Sequence, residues 1–352
     1  MKTAIIAFNN ICYSPYIFTY ADFLKKNGVS CDLIYPNRAG VDEAFDGNTY
    51  PILWDKNKSK CRNFISFTKK AKGILKKNKY DFVFVLTTFP AVLLSGVLSR
   101  RYKSKYLVDI RDYTYEHSKI YYHFEKKALK NSKLNVISSP GFANFLPDEN
   151  YYICHNVLDK YKDNALQFKK AHGRIVIGYV GTIAYASQCK AVIDMVRDDD
   201  RFEFHFYGNE TNPFCPIKQY VDAIGSERIK YFGPYKAAEK PQIIQQVSLL
   251  FNVYGNERML VKYALSNKLY DGFYFKKPLL VSPNTAMSEE TKEFSYAIDL
   301  SKKGELDKVY DWYNEIDSVA YEKYANEYLE SVFVENEKLQ LELSELIKEE
   351  KR

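Results

Sequence analysis

Short apolar runs alternate with amphipathic helical stretches along this chain, and the alternation stops once and then restarts. "TAIIAF", "SCDLIYP", "DFVFVL", "KYLVDI" and "KLNVISS" are brief and almost uniformly apolar, the pattern of strands buried on both faces. Between them lie "YIFTYADFLKKNG", closed by Gly28, then "PAVLLSGVLSRRY" and "HFEKKALKNS", which read as helices. Repeated strand–helix units predict a parallel sheet with helices on both faces. "NYYICHN" adds one more strand before a polar stretch at Val157–Gly173 breaks the rhythm. It resumes with "RIVIGYVG", a helix near Lys190–Arg197, "FEFHFYGN", "IKYFGP", a helix near Ala237–Gln246, "SLLFNVYG", a helix from Ser266, and "PLLVS". The expected fold is α/β: doubly wound domains at 1–160 and 174–310, then a charged helical segment over 311–352.

With 352 residues, 46% of them hydrophobic, each domain can bury a core. No run approaches the ~20 apolar residues of a membrane span; "FVFVLTTFPAVLLSGVLS" is interrupted by Thr87, Thr88 and Pro90. "MKTAIIAFNN" reads as an opening strand rather than a signal peptide, so a cytoplasmic protein is expected. Cys12, Cys31, Cys61, Cys154, Cys189 and Cys215 form no CxxC pair, and the five histidines form no HExxH. Buried thiols and no metal site are expected.

The net charge of +7 is uneven: Lys56–Lys79 holds nine lysines and Arg62 with no acid. This is either a solvated face or a surface drawn to anionic lipid. No nucleic-acid-binding module accompanies it, so nucleic acid is not an expected partner.

Ligands of open parallel sheets bind beyond the carboxyl ends of the strands. Gly181 with Thr182, then Gly208 and Gly233, stand at three such ends in the second half, where glycine lets backbone amides approach a phosphate. In "SNKLYDGFYFKKPLLVS", Ser266 is the expected N-cap, with Leu269, Tyr270, Phe273 and Tyr274 as the packed face. Lys268 beside a helix N-terminus opposes the macrodipole by ~0.3–1 kcal/mol. Lys268 and Asp271 are either a surface i,i+3 ion pair or a binding pair, Lys268 for a diphosphate and Asp271 for a ribose or sugar diol. In the first half, "VDIRDYTYEHSKIYYH" gathers Asp109, Arg111, Asp112, Glu116 and His117 at a strand end. Either Arg111 pairs structurally with a carboxylate, or Asp112 or His117 faces the bond that breaks. Asn9 and Asn10, after the first strand, are candidates for contacts to an acceptor.

"NKLYD" followed by "KKPLLVS" resembles the donor-binding helix of family-4-like glycosyltransferases, of the bacterial capsular and O-antigen polysaccharide type. "YVGTI", "ICHN", "DIRD" and "HFEKKALKNSKLNVISS" are similar to other landmarks of that family. The resemblance implies the GT-B architecture: two Rossmann-like domains facing across a cleft, the first for the acceptor and the second for the donor, with C-terminal helices crossing back. It places Asp271, with Asn267 and Lys268 on the same helix, at the donor nucleotide. It also implies a nucleotide-diphosphate sugar donor, retention of configuration and no metal or other cofactor. The sequence departs from the pattern at Tyr263, where a first glutamate would fall, at Asp271 in place of a second, and at Lys276 in place of glycine. The acceptor is expected to be a saccharide or polyprenyl-linked saccharide, met at the cytosolic face of the inner membrane. A nucleotide-sugar epimerase of the same fold, or an inactive scaffold, are the alternatives.

Overall fold

The structure, a computed structural model, describes residues 1–158, 161, 166–210 and 216–351; Cys215 and part of the polar stretch after Val157 lie outside the described residues. The chain forms two compact units, Met1–Asn156 with Val334–Arg352, and Val157–Phe333.

Seven strands make the first unit's sheet: β1 (Lys2–Ile6), β2 (Ser30–Asn37), β3 (Thr49–Leu53), β4 (Phe82–Leu86), β5 (Tyr106–Ile110), β6 (Leu134–Ile137) and β7 (Tyr152–Ile153). All pairs are parallel, in the order β3-β2-β1-β4-β5-β6-β7. The order reverses between β1 and β4, the position where open α/β sheets leave a crevice. Alternate strand residues Ile5, Leu33, Phe84 and Leu107 pack with Ile17, Tyr20 and Leu24 of α1 (Ile17–Lys26). Next in the chain come α2 (Lys60–Asn78), α3 (Thr88–Arg101) and α4 (Lys119–Lys130); α3 packs on β4 and β5, between α2 and α4. In α2 the buried stripe is Asn63, Phe67, Ala71 and Leu75, four residues apart, which leaves Lys69, Lys70, Lys76 and Lys77 exposed. β3 has no counterpart in the sequence reading. Pro51 and a half-exposed pattern disguise it, and proline is tolerated because β3 is an edge strand.

The second unit holds β8 (Ile175–Val180), β9 (Phe202–Tyr207), β10 (Ile229–Gly233), β11 (Leu249–Asn252), β12 (Leu279–Val281) and β13 (Ser295–Ala297), in the order β10-β9-β8-β11-β12-β13, again parallel. Its helices are α5 (Ala186–Val196), α6 (Ile217–Ile224), α7 (Lys240–Gln245), α8 (Met259–Tyr263), α9 (Asn267–Phe275), α10 (Ala286–Thr291), α11 (Glu305–Glu315) and the first part of α12 (Ser318–Lys351). Here the strand order reverses between β8 and β11.

The helical segment expected at 311–352 is shared between the units. Tyr313 of α11 and Tyr321, Ala325 and Leu329 of α12 belong to the second unit's core. Leu339, Leu343, Leu346 and Ile347 of α12 complete the first unit's core. The division follows from apolar content: both stretches carry a buried stripe, and each joins the core it covers. Among the described residues, no helix is long and apolar enough to cross a membrane. Cys31, Cys154 and Cys189 are buried as expected, whereas Cys12 and Cys61 are exposed.

Candidate functional site

In the second unit the carboxyl ends of β8 and β9 nest tightly. Gly208 has φ +147°, and a Cβ there would lie 1.7 Å from the Gly181 carbonyl oxygen. Only glycine allows that approach. The same nesting corrects the expected phosphate contacts. Gly208 N–H donates to the Gly233 carbonyl at 2.7 Å, and Gly181 N–H to the Tyr207 carbonyl at 2.9 Å. Both amides continue the sheet ladder and are not presented to a ligand. Thr182 stands exposed beyond them, its carbonyl held by the Tyr179 hydroxyl at 3.0 Å.

Ser266 caps α9 as expected, its Oγ accepting from Lys268 N–H at 3.3 Å. Leu269, Tyr270 and Phe273 are buried, but so are Lys268, Asp271 and Phe275, while Tyr274 is half-buried and stacks on Tyr161 at 4.0 Å. The helix is enclosed nearly all round rather than on one face. Asn267, at its start, is exposed.

Lys268 and Asp271 are not an ion pair with each other. The Asp271 carboxylate pairs with Lys240 Nζ at 2.6 Å and accepts from the Tyr161 hydroxyl at 2.6 Å. It is therefore an occupied group, and a diol would have to share it with those partners or displace them. Lys268 Nζ donates to the Tyr254 hydroxyl and sits 4.8 Å from the Tyr179 ring centroid and 5.2 Å from that of Tyr254. Tyr254 is backed in turn by the Tyr185 ring at 4.2 Å. Among the described residues, no carboxylate lies within ion-pair distance of Lys268. Burial pushes its pKa below the ordinary lysine value, with Tyr179 and Asp271 opposing that shift. The ammonium lies beside the β8 loop, 3.7 Å from where a Cβ on Gly181 would stand. Lys276 ends α9 in the left-handed region (φ 53°) and is buried, with Nζ donating to the Phe273 carbonyl at 2.8 Å. Burial lowers its pKa to about 8.

In the first unit, a 400 Å³ cavity opens at the carboxyl ends of the strands. Asn9 and Asp112 line it, together with Phe8, Arg38, Trp54 and Phe64. Asp112 is exposed as a residue, yet desolvation in this concave setting raises its carboxyl pKa, against the lowering effect of Arg111. Neither Arg111 nor His117, the two residues expected to act with it, lines the cavity. Arg111 is buried, its guanidinium bridging Asp109 Oδ2 (2.8 and 3.0 Å), the Cys154 carbonyl (3.0 Å) and Asn156 Oδ1 (2.9 Å). It makes the structural ion pair with Asp109. Asn10 is fully buried: its amide nitrogen donates to Asn37 and Glu43, and its oxygen accepts from Arg38 and Ala39 N–H. It pins a turn, with both ends of its side-chain amide committed within the chain. Glu116 also turns inward and accepts from Thr114 N–H. His117 is not among the lining residues; it is exposed, with its ring beside Tyr113 and Tyr115.

Sequence reasoning missed Arg38, Trp54 and the tyrosines around Lys268. Arg38 carried a usable signal, since "LIYPNR" sets a cation directly past a strand's carboxyl end. Nothing in the sequence joins Tyr179 and Tyr254 to Lys268; only the fold does.

Two parallel α/β units of this kind define the GT-B glycosyltransferase fold. Residues 5–139, most of the first unit's sheet, match the family model described as glycosyl transferase 4-like. The whole fold is similar to sucrose-phosphate synthase from Thermosynechococcus elongatus (TM-score 0.71, 10% identity, covering 99% of this chain and 98% of that one). It is similar also to HepE of Anabaena, solved with UDP (0.69, 12%, 98% and 100%), and to a glycosyltransferase from Rickettsia africae (0.67, 11%, 100% and 98%). No curated protein sequence matches the chain.

Proposed function

We propose that the protein transfers a glycosyl unit from a nucleotide-diphosphate sugar to a saccharide or lipid-linked saccharide acceptor. The donor diphosphate would lie against Lys268 and the β8 loop, and the acceptor in the first unit's cavity. The observation that carries this reading is Lys268. A buried ammonium without a carboxylate is costly to keep charged, and an anion arriving beside it removes that cost. Positive charge at this position offsets the charge that develops on a departing diphosphate, so the reaction needs no metal in this reading. HepE, whose fold this chain shares, binds UDP. Retention of configuration and a place in surface polysaccharide synthesis extend the same reading. Asp112 is the group set to orient an acceptor hydroxyl, since it lines the cavity and His117 does not. The lysine face of α2 would hold the protein to anionic lipid at the cytosolic side of the membrane.

Incubating purified protein with a panel of nucleotide sugars and candidate acceptors, then reading products by mass spectrometry, tests the proposal. Transfer or donor hydrolysis supports it. Nucleotide binding without turnover under any pairing would leave a binding scaffold instead.

A further inference from the structure

The turn after β2 is held rigidly, but the cation it carries is left open. Asn10 fixes the turn through Arg38 and Ala39 N–H (2.8 and 3.0 Å), and Glu43 is taken by Asn10, Ile11 N–H and Cys12 N–H. Glu43, the carboxylate that holds this turn, is therefore committed to amides and not to Arg38. The Arg38 guanidinium carbon lies 4.7 Å from the Phe8 ring centroid and 4.4 Å from that of Trp54. Its Nε is buried and has no hydrogen-bond partner. No carboxylate among the described residues is within ion-pair distance of it. Lys60, at the start of α2, lines the same cavity and likewise has no ion-pair partner among them. Thr87, on the rim, is held at φ 75°, ψ 158°, a region that side chains rarely occupy and that clusters at ligand sites.

A planar cation seated against two edge-to-face rings is held in place, and its unused N–H groups match a phosphate or carboxylate bidentately. The rings of Phe8, Trp54 and Phe64, which pack on one another at 5.5–6.2 Å, give the apolar face on which a sugar ring lies.

We propose that this cavity takes an anionic acceptor: a sugar ring on the aromatic wall with a phosphate or carboxylate on Arg38 and Lys60. Calling the ligand an acceptor rests on the glycosyltransferase reading; the anion site itself does not. The anion comes either from the sugar, as a sugar phosphate or uronate, or from the diphosphate of a lipid carrier.

Calorimetry on the full chain without nucleotide sugar separates the two levels. Glucose 6-phosphate, glucuronate, glucose and geranyl diphosphate serve as probes. At least one anionic probe is expected to bind tenfold or more tightly than glucose. That preference should vanish in Arg38→Gln and return in part in Arg38→Lys, with UDP affinity unchanged in both. Tighter binding of geranyl diphosphate assigns the lipid carrier as source; tighter binding of glucose 6-phosphate or glucuronate assigns the sugar. Equal binding of glucose and every anionic probe, or a preference that survives Arg38→Gln, overturns the proposal. Anion preference in a protein that neither binds nor consumes nucleotide sugars would instead overturn the glycosyltransferase reading and leave this site standing.

Discussion

Each unit sets a cation, Lys268 in the second and Arg38 in the first, against aromatic rings at the carboxyl ends of its strands, with no carboxylate partner among the described residues, and the two settings differ. Lys268 is 8% exposed, hydrogen-bonded to a tyrosine and depressed in pKa by its burial. Arg38 is half-buried and lies against the Phe8 and Trp54 rings in an open cavity. Lysine presents a point charge that a closed cage can desolvate, whereas arginine keeps its proton and offers a flat, directional fork. On the proposed function, the second unit takes the group whose charge grows during the reaction and the first a group recognised by shape.

Turnover gives the sharpest test of this division. If Asp112 orients the reacting hydroxyl, Asp112→Asn should lower kcat by about 10²-fold, the lower range for a lost acid–base contribution, with donor affinity unchanged. Equal turnover would return Asp112 to the surface.

Lys268→Met should weaken UDP binding by about 1.5–3 kcal/mol, the worth of hydrogen bonds to a charged group, while raising the melting temperature of the unliganded protein. An unchanged UDP affinity by calorimetry would break the comparison, because Lys268 would then be only a buried structural amine.

Asp271→Ala should cost about 1–3 kcal/mol in nucleotide-sugar affinity. Because the carboxylate also holds Lys240 and Tyr161, thermal stability must be measured beside it. A loss confined to stability would make Asp271 a support for the cage and not a ligand.

Charge reversal at Lys69, Lys70, Lys76 and Lys77 should remove up to about 1 kcal/mol of attraction to anionic vesicles per residue. Salt should mimic the effect, since exposed charges are screened beyond ~8 Å at physiological ionic strength. Sedimentation with no preference for anionic over neutral vesicles at low salt would leave α2 a solvated face.

The smallest effect concerns Lys276. Its folded pKa of about 8 lies below the ~10.4 of an unfolded lysine. Holding it charged therefore weighs against folding below about pH 8, and stability from this group rises between pH 8 and about 10.4. Lys276→Met should flatten that slope in denaturant titrations. An identical slope would show that the amine is hydrated.

The sequence disclosed what depends on local pattern. Apolar runs such as "DFVFVL" and "RIVIGYVG" located both sheets, and Ser266 marked the start of α9 because a cap is a local device. It did not disclose what depends on partners brought from afar. Asp271 looked available until Lys240, 31 positions earlier, was folded against it. Gly181 and Gly208 looked like phosphate amides, but their N–H groups are used by neighbouring strands. Arg111 and Asn10 were legible as polar residues at strand ends, and only burial separates them from Asp112 and Asn9.

The composition of α12 has a consequence for synthesis. The first unit's core includes Leu339, Leu343, Leu346 and Ile347, yet the second unit, Val157–Phe333, is made between them and the rest. At ~5–20 residues per second, the ribosome takes roughly 10–35 s to pass through those intervening residues. Throughout that interval the core built on α1 lacks the side chains that α12 contributes and exposes the apolar surface they cover. The unit that begins first is therefore the one that finishes last.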